Sequence, residues 1–585
     1  PLNGVPGDVY TGSIVRIEVA EHFLPFEVLS GSVRITSQEA GYDSGEQSLS
    51  FENNGRLLYY QWNTTGLTPA QDYVISVSLL DRQNRVIPDS ILTETVVLHK
   101  RAYGDTQYLA QVTDASVSVP GVALSFVRTA LHDSTRMPYL GPLGYGWNHS
   151  YNLFLEENTD GWISMIQADG SSRWFKSNND GTYTSMLGDS GTLVRDPSGQ
   201  FQLSDADGQC YRFSANLRLM NIMDANGNKI TCKYDKAGLL KKIVHSSGRS
   251  FSLTYNKNGR IKSLIDHAGR ITTYEYDVTG MKLVSVTNSA GIITQYTYVS
   301  GEDEHLNNRL QVIAAPDGVY THFAYDDKAN LISQCGTWGA NPVARAYNED
   351  GTTHITDACG AITSVKGNDR GQATAIGQPD GQSTTIEYDT HGNVIKITNP
   401  LGNATIFDHD QNNMLIGITD PLGETVQTIY DSEHSGLTAY VDALNNRTTF
   451  TYDAHGNLTG LLLPDENTAS FMNDKAGNLS SYTDEDACVT KFSYTRNGQL
   501  SIVKNALGKK VQLTYDKNGD LAKIKDAMGY IYSFSRDVLG RIIEITYPDN
   551  TISNYTYSDG GRMTSYTNRR GETLYYTYNV AGILE

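Results

Sequence analysis

The sequence predicts an all-β protein, most of which forms one long antiparallel sheet, and two observations lead to this prediction. The 585 residues include 37 Tyr and 54 Gly against 15 Phe and 16 Pro, a composition that favours strands joined by tight turns. A pattern of Tyr, then Asp or Asn, two variable residues and Gly also returns about every 21.5 residues from position 234 to position 582. Aromatic residues make up 10% of the chain, too many for a disordered protein.

The repeat has seventeen copies. Thirteen lead positions are Tyr, fourteen of the next positions are Asp or Asn, and thirteen of the positions four after the lead are Gly. The lead residues are Tyr234, Tyr255, Tyr276, Tyr298, Tyr325, Tyr347, Gly367, Tyr388, His409, Tyr430, Tyr452, Asn473, Tyr494, Tyr515, Arg536, Tyr557 and Tyr578. Phe213, 21 residues before Tyr234, fits an incomplete eighteenth copy.

Each repeat contains a second turn about half a period after the lead. Asp266-His267-Ala268-Gly269 is an example, in which Asp starts the turn and Gly supplies a positive φ. The segments between turns alternate polar and apolar residues, as in 292–298, which is the pattern of strands. Each repeat is therefore predicted to be a β-hairpin, and successive hairpins an antiparallel meander.

The predicted sheet is too long to stay flat. Seventeen hairpins give about 34 strands, or roughly 160 Å across the strands, whereas open sheets rarely exceed about ten strands without curling. A single ring of that length would be about 50 Å wide, so we expect a hollow, curled or spiralling shell. A propeller with two repeats per blade and a parallel β-solenoid remain as alternatives that the hairpin turns favour less.

These repeats resemble the YD repeats of the Rhs (rearrangement hotspot) family, which includes bacterial polymorphic toxins, the C components of insecticidal Tc toxins, and teneurins. The resemblance covers about 176–585. It is supported upstream by residues 124–129 (LSFVRT) and 141–151 (GPLGYGWNHSY), which look like a segment that precedes the first repeats in the family. The resemblance implies a large hollow shell around a polypeptide cargo, usually a C-terminal toxin.

One difference from the toxin members concerns the end of the chain. Their shells are closed by a segment with an aspartyl autoprotease, followed by a variable toxin domain. Here the chain stops inside a repeat, at Glu585, so we expect any autoprotease or toxin activity to lie beyond residue 585 and treat the shell as incomplete at its C-terminus.

The first hundred residues lack the repeat. Residues 67–77 look like the LxPxxxYxVxV stretch of fibronectin type III domains, in which Tyr73 would be the corner tyrosine. We therefore predict a fibronectin type III-like sandwich over 1–100, a connecting or capping segment over 101–175, and the repeat shell over 176–585.

The charge and hydropathy of the chain limit the classes of partner that it can bind. The formal net charge is −19, which disfavours nucleic acid, and Lys or Arg never form a run longer than a pair. The sequence contains no apolar stretch of about 18 residues that would indicate a transmembrane helix.

The sequence offers no catalytic, cofactor or metal site. Asp235, Asp277 and Asp389 occupy turn positions, and Asp205 and Asp207 lack the Glu that a calcium loop needs. The histidines at 267, 391, 409 and 455 have no second ligand at metal spacing. The lead positions that break the pattern, Gly367, His409, Asn473 and Arg536, are attributed to drift of the repeat. The five cysteines, 210, 232, 335, 359 and 488, are expected to be small buried strand residues.

We predict a non-enzymatic Rhs-type shell without cofactors that carries a C-terminal toxin cargo for secretion and for interbacterial or host-directed delivery. We expect the protein to be secreted or exported to the cell surface, and its source to be bacterial. Its N-terminal sandwich would contact a secretion system or receptor. The alternative is an extracellular adhesin in which exposed tyrosines stack on sugars.

Overall fold

The structure is a computed structural model. It describes residues 8–10, 14–19, 30–38, 41–52, 57–63, 72–80, 92–99, 108–132, 139–157, 162–185, 189–301, 306–339, 342–348, 350–368, 372–431, 436–579 and 583–585.

The N-terminal region forms two sheets. Its described strands are β1 Asp8–Tyr10, β2 Ile14–Val19, β3 Ser30–Ser37, β4 Tyr42–Asp43, β5 Gln47–Ser48, β6 Ser50–Glu52, β7 Leu57–Asn63, β8 Asp72–Leu80 and β9 Leu92–His99. One sheet has the order β1-β9-β8-β3-β4 with β5 also on β3, and the other has the order β2-β7-β6. The buried rings of Trp62 and Tyr73 lie 5.5 Å apart, one from each sheet. The fibronectin type III assignment and the corner role of Tyr73 stay predictions.

The next five strands belong to residues 108–153, called the inner segment below because the long sheet curls around it. They are β10 Tyr108–Val117, β11 Leu124–Leu131, β12 Leu140–Gly141, β13 Gly144–Tyr145 and β14 Trp147–His149. β10, β11 and β14 form one antiparallel sheet, and β12 pairs with β13.

The long sheet begins at Phe154. Its first half contains β15 Phe154–Glu157, β16 Trp162–Ile166, β17 Ser172–Ser177, β18 Thr182–Ser185, β19 Thr192–Arg195, β20 Phe201–Ser204, β21 Cys210–Phe213, β22 Leu219–Met223, β23 Lys229–Tyr234, β24 Leu240–His245, β25 Ser250–Tyr255, β26 Ile261–Ile265, β27 Ile271–Tyr276, β28 Leu283–Thr287, β29 Ile293–Tyr298, β30 Leu310–Ala314, β31 Tyr320–Tyr325, β32 Leu331–Gly336, β33 Val343–Tyr347, β34 Thr352–Thr356, β35 Ile362–Gly367 and β36 Ala373–Gly377, with a 3-10 turn at Thr337–Gly339.

Its second half contains β37 Ser383–Tyr388, β38 Val394–Thr398, β39 Ala404–His409, β40 Leu415–Thr419, β41 Thr425–Tyr430, β42 Leu437–Val441, β43 Arg447–Tyr452, β44 Leu458–Leu462, β45 Thr468–Asn473, β46 Leu479–Thr483, β47 Val489–Tyr494, β48 Leu500–Lys504, β49 Lys510–Tyr515, β50 Leu521–Lys525, β51 Ile531–Arg536, β52 Ile542–Thr546, β53 Ile552–Tyr557, β54 Met563–Thr567 and β55 Thr573–Tyr575.

The predicted meander is confirmed. β15 to β55 form a single sheet of 41 strands in sequence order, with antiparallel neighbours. One continuous sheet excludes propeller blades, and antiparallel pairing excludes the solenoid. The sheet has more than the expected 34 strands because eight strands precede β23. The ladder shift at Phe213, which pairs with Leu219, is the one seen at the lead positions, so Phe213 marks an additional repeat.

Both turns of a repeat have the same construction. In the lead turn, Asp235 Oδ1 accepts hydrogen bonds from the backbone N–H groups of Ala237 at 2.9 Å and Leu239 at 3.0 Å. Gly238, with φ of 80°, donates its N–H to the Asp235 carbonyl. In the half-period turn, Asp266 Oδ1 likewise accepts two backbone N–H groups at 2.9 Å. Asp and Gly therefore favour the short three-residue loop of each hairpin.

The lead tyrosines join each hairpin to the preceding one. The ladder shifts by one residue at the lead position, where Tyr234 pairs with Leu240, and the Leu240 carbonyl accepts a hydrogen bond from the Tyr255 hydroxyl at 2.6 Å. Twelve lead tyrosines make this bond to a carbonyl 15 or 16 residues earlier: 234, 255, 276, 298, 325, 347, 388, 452, 494, 515, 557 and 578. The Tyr row therefore fixes the register of successive hairpins.

The buried core lies between the inner segment and the early strands of the sheet. Leu124, Phe126 and Trp147 of the inner segment pack in one cluster with residues drawn from strands β15 to β32. Those strands contribute the face that carries the lead tyrosines, as in β25, where Phe251 and Leu253 are buried. Because strands β15 to β32 all pack against the inner segment, the sheet is curled around it. The face that carries the lead tyrosines is therefore the concave face of the sheet.

A buried ion pair holds the inner segment in place. Arg128 Nε donates to Asp114 Oδ2 at 3.0 Å, with both side chains at most 4% exposed. Arg128 Nη1 also donates to the Tyr296 hydroxyl at 2.9 Å, and the Tyr274 hydroxyl donates to Asp114 at 2.7 Å. Removing one partner of a buried pair costs about 3–5 kcal/mol, so this network anchors the segment to β27 and β29.

A first prediction tests the Tyr bond. Tyr255→Phe is expected to destabilise the hairpins around β24 and β25 by about 1–2 kcal/mol, because the buried Leu240 carbonyl loses its donor. Hydrogen exchange of the amides in 240–255 measures the effect. Tyr430→Phe is the matched control, since the carbonyl 15 residues before it, Leu415, accepts from Thr428 instead. Equal exchange rates in Tyr255→Phe and the unsubstituted protein would contradict the role of the bond.

A second prediction concerns acid stability. His149 is buried and stacked on Phe126, with ring centroids 4.7 Å apart, and burial lowers the pKa of His149 from 6.5 to about 3. The neutral ring therefore stabilises the fold above about pH 6.5, and this contribution is lost as the pH falls from 6.5 towards 3.

His149→Asn stays neutral and offers an oxygen where Nδ1 accepts the Tyr151 N–H at 3.2 Å. We expect thermal unfolding between pH 7 and pH 4 to depend less on pH in this variant than in the unsubstituted protein. Parallel pH profiles for the two proteins would show that His149 does not titrate on unfolding.

Candidate functional site

The concave face of the later strands is apolar. Cross-strand pairs follow one another along β37 to β54 at the period of the repeat, among them Phe450–Leu461, Phe471–Tyr482, Phe492–Val503, Leu513–Ile524, Phe534–Ile545 and Tyr555–Tyr566. Ring centroids in the two wholly aromatic pairs lie 5.4 and 5.2 Å apart. These side chains are half-buried, whereas their counterparts in the early repeats are buried by the inner segment. No described part of the chain covers this face as the inner segment covers the early one.

Charge is almost absent from the same surface. In strands β37 to β54, His409 and Arg536 are the titratable groups other than tyrosine that share the concave face with the lead positions. The carboxylates and lysines of these strands lie on the opposite, convex face, where Lys396 Nζ is bound to Glu387 Oε1 at 2.9 Å. The later repeats therefore present a two-sided wall, apolar and hydroxyl-rich inside and charged outside.

The sheet winds back onto itself. Asn226 and Asn457, 231 residues apart, exchange side-chain hydrogen bonds at 2.8 and 3.0 Å. Asn228 donates to the Ala476 carbonyl, 248 residues away, at 2.9 Å, and Asp317 pairs with Arg562 at 3.0 Å. In each case a half-period turn of the earlier winding meets a lead turn of the later one, so the two opposite edges of the ribbon abut in a spiral seam.

The seam sets the width of the shell. A separation of 231–248 residues corresponds to roughly 22 strands, a circumference on the order of 100 Å and a width of about 30–35 Å. Of the curled or spiralling shells expected from the length of the ribbon, the structure has the spiral, whose windings are narrower than a single ring of about 50 Å because its edges can pair.

The turn carboxylates have the structural role expected of them. Oδ1 of Asp277 and of Asp389 accepts backbone N–H groups of its own turn. Partial burial raises the pKa of Asp389, but the hydrogen bond from Asn393 Nδ2 at 2.9 Å and these backbone bonds outweigh it and hold the pKa below its usual value. In the segment that resembles the start of a calcium loop, Asp205 Oδ1 is bound to Arg173 Nη2 at 2.7 Å, and Asp207 Oδ1 accepts the backbone N–H of Gln209. Within the described ranges, no three His, Cys, Asp or Glu side chains are grouped as metal ligands would be.

The histidines are dispersed. His391 and His455 lie in exposed parts of lead turns, and His409 lies at a lead position. His267 lies at the seam, where burial and the neighbouring Arg249 lower its pKa. They do not form a common site.

At two of the four irregular lead positions, the residue makes the hydrogen bond that a lead tyrosine makes elsewhere. Asn473 Nδ2 donates to the Leu458 carbonyl at 3.1 Å, and Arg536 Nε to the Leu521 carbonyl at 3.2 Å. Both carbonyls lie 15 residues earlier, as for a lead tyrosine. The interpretation as drift missed that Asn473 and Arg536 replace the phenol with another donor to the corresponding carbonyl.

The cysteine expectation holds only in part. Cys210 and Cys232 are buried strand residues, but Cys359 and Cys488 are exposed at half-period turns, and Cys335 is half-buried. The prediction was wrong for the exposed two because Cys359 lies within a half-period turn and Cys488 directly follows one, so neither side chain lies on the buried face of a strand. Among the residues that the structure describes, no helix is long and apolar enough to cross a membrane.

Family models match most of the repeat region. The teneurin YD-shell model matches residues 211–334 and 423–585, and the RHS repeat model matches 367–404 and 388–425. A domain of unknown function (DUF6531) matches residues 106–175, which include the whole of the inner segment. No curated protein matches the chain.

Solved structures of Tc toxin components resemble the chain more distantly. A crystal structure of TcdB2-TccC3 with Cdc42 has 11% identity and a TM-score of 0.42, covering 88% of this chain and 31% of its own. TcdB2-TccC3 has 10% identity and a TM-score of 0.41, with 98% and 33% coverage. The Photorhabdus luminescens Tc holotoxin pore, with a TccC3-D651A mutation, has 12% identity and a TM-score of 0.37, with 92% and 35% coverage.

The chain spans about a third of the length of these solved chains, and their TM-scores are too low to support an argument on function. The assignment depends instead on the repeat, the 41-stranded sheet and the two YD-repeat models. On that basis, the chain is a shell-forming member of the Rhs/YD-repeat family.

Proposed function

We propose that the windings enclose a polypeptide cargo, and that the chain is the wall of a carrier that exports a toxin or other effector to another cell. One observation supports this above all: the concave face of β37 to β54 is apolar, nearly uncharged and not covered by a described part of the chain. An apolar surface of this extent is unfavourable unless something occupies it.

The width of the windings limits the state of the cargo. A wall about 30–35 Å wide, less a layer of side chains on each side, leaves roughly 20 Å. One or two helices of about 10–12 Å would fit, whereas a folded 100-residue domain has a radius of gyration of about 13 Å and would not. We therefore propose a cargo that is at least partly unfolded inside these windings.

In this proposal the wall does no chemistry of its own. Toxin activity would belong to the cargo, and the N-terminal sheets would contact the secretion apparatus of an exporting bacterial cell or a receptor. The adhesin alternative has less support, because the lead tyrosines lie half-buried on the concave face with their hydroxyls bonded to carbonyls, where sugars outside the shell could not stack on them.

A third prediction tests enclosure. A flexible, protease-sensitive reporter segment is fused after Glu585, and its digestion is compared with that of the same segment alone. Enclosure predicts at least tenfold slower digestion in the fusion. Phe492→Asp, which places a charge on the concave face, is expected to restore digestion.

Ser493→Asp provides the matched control, because Ser493 is the next residue of β47 and lies on the convex face. It should leave protection unchanged, and hydrogen exchange of β47 and β48 confirms that both variants keep the sheet. Equal digestion of the fused and free reporters would refute the enclosure of cargo by these windings.

A further inference from the structure

The half-period turns of the later winding have exposed apolar tips. The third residue of five of these turns is Leu or Met and is 79–87% exposed: Leu401, Leu422, Leu444, Leu507 and Met528. The same position in the earlier winding, where the edge is covered by the seam, holds small or polar residues such as Asn226, Ser247 and Ala268. At this turn position, large apolar side chains thus occur only in the later winding, where the edge formed by the half-period turns is exposed.

Two of these tips project from a cluster of lysines. Lys504 and Lys510 flank the turn of Leu507 and are direct cross-strand partners, and Lys504 is also paired with Lys491. Lys525 precedes the turn of Met528. All four lysines are exposed, and none forms an ion pair with another described residue. Like charges placed directly opposite each other destabilise a sheet, so the fold keeps this cluster at a cost.

The carboxylates near the two tips do not neutralise the lysines. Asp526 Oδ1 is bonded to the backbone N–H groups of Met528 and Tyr530, both at 2.9 Å. The acidic turn Asp484-Glu485-Asp486 lies one hairpin away, roughly 10 Å, and marks one boundary of the cluster. On the other side, Asp549 is paired with Arg569.

We infer that the edge formed by Leu507, Met528 and the lysines at 491, 504, 510 and 525 docks on an anionic lipid membrane. Exposed apolar tips would enter the boundary between headgroups and acyl chains, while lysines directly behind them contact anionic headgroups. A nucleic acid would engage the lysines but gain nothing from the apolar tips, so the combination favours a membrane. This inference is independent of the enclosed cargo.

The test is co-sedimentation of the full chain with vesicles of phosphatidylcholine alone or mixed with phosphatidylserine. We expect binding to the mixed vesicles only, weakening as salt is added. Leu507→Ser with Met528→Ser is expected to lower the partition coefficient about tenfold or more, and Lys504→Gln with Lys510→Gln by a similar factor.

Leu401→Ser with Leu422→Ser is the matched control, because these tips occupy the same turn position with 81% and 87% exposure but have no flanking lysines. It should bind like the unsubstituted chain. Equal binding to both vesicle types, or an equal loss in the control, would overturn the inference. Binding of double-stranded DNA that survives the Leu507 and Met528 substitutions, without vesicle binding, would identify a polyanion site and overturn it as well.

Discussion

The hydrogen bond from each lead tyrosine to a carbonyl of the preceding repeat is the interaction on which the sheet depends. A hairpin alone is marginally stable in water, and a strand slip of one residue would turn its apolar side chains outwards. The hydroxyl of Tyr515 reaches the Leu500 carbonyl at 2.6 Å, and a bond of this kind ties nearly every hairpin to the one before it. Asn473 and Arg536 show that the donor is retained even where the phenol is lost.

The fixed register has two consequences. It keeps one face apolar over the whole ribbon, and it keeps lead turns on one edge and half-period turns on the other. The ribbon can then wind so that its two edges meet, as Asn226 meets Asn457. The early winding encloses the inner segment, held by the buried pair of Arg128 and Asp114. The later winding presents the same apolar face without such a segment, and this difference is the reason for proposing a cargo.

The local parts of this structure could be predicted from the sequence, whereas the long-range parts could not. The Tyr, Asp and Gly positions specify hairpins because the interactions they make span only 2 to 16 residues, as for Asp235, Tyr255 and Tyr347. The seam joins residues 231 and 248 apart through ordinary turn asparagines, which leave no pattern in the sequence. The cluster of lysines at 491, 504, 510 and 525 could not be predicted either, because these residues form no basic run in the sequence and become neighbours only across strands.

The central claim is that successive windings of one register-locked sheet abut edge to edge, and cross-linking tests it most directly. In a background in which Cys359 and Cys488 are replaced by Ser, Asn226→Cys with Asn457→Cys should be joined within one chain by a short bismaleimide. Asn226→Cys with Asn393→Cys should not, although Asn393 occupies the same turn position on the same edge three repeats earlier. Efficient cross-linking of the first pair alone is the predicted result. Failure of that pair in the folded protein, or equal yields for both pairs, would contradict the spiral.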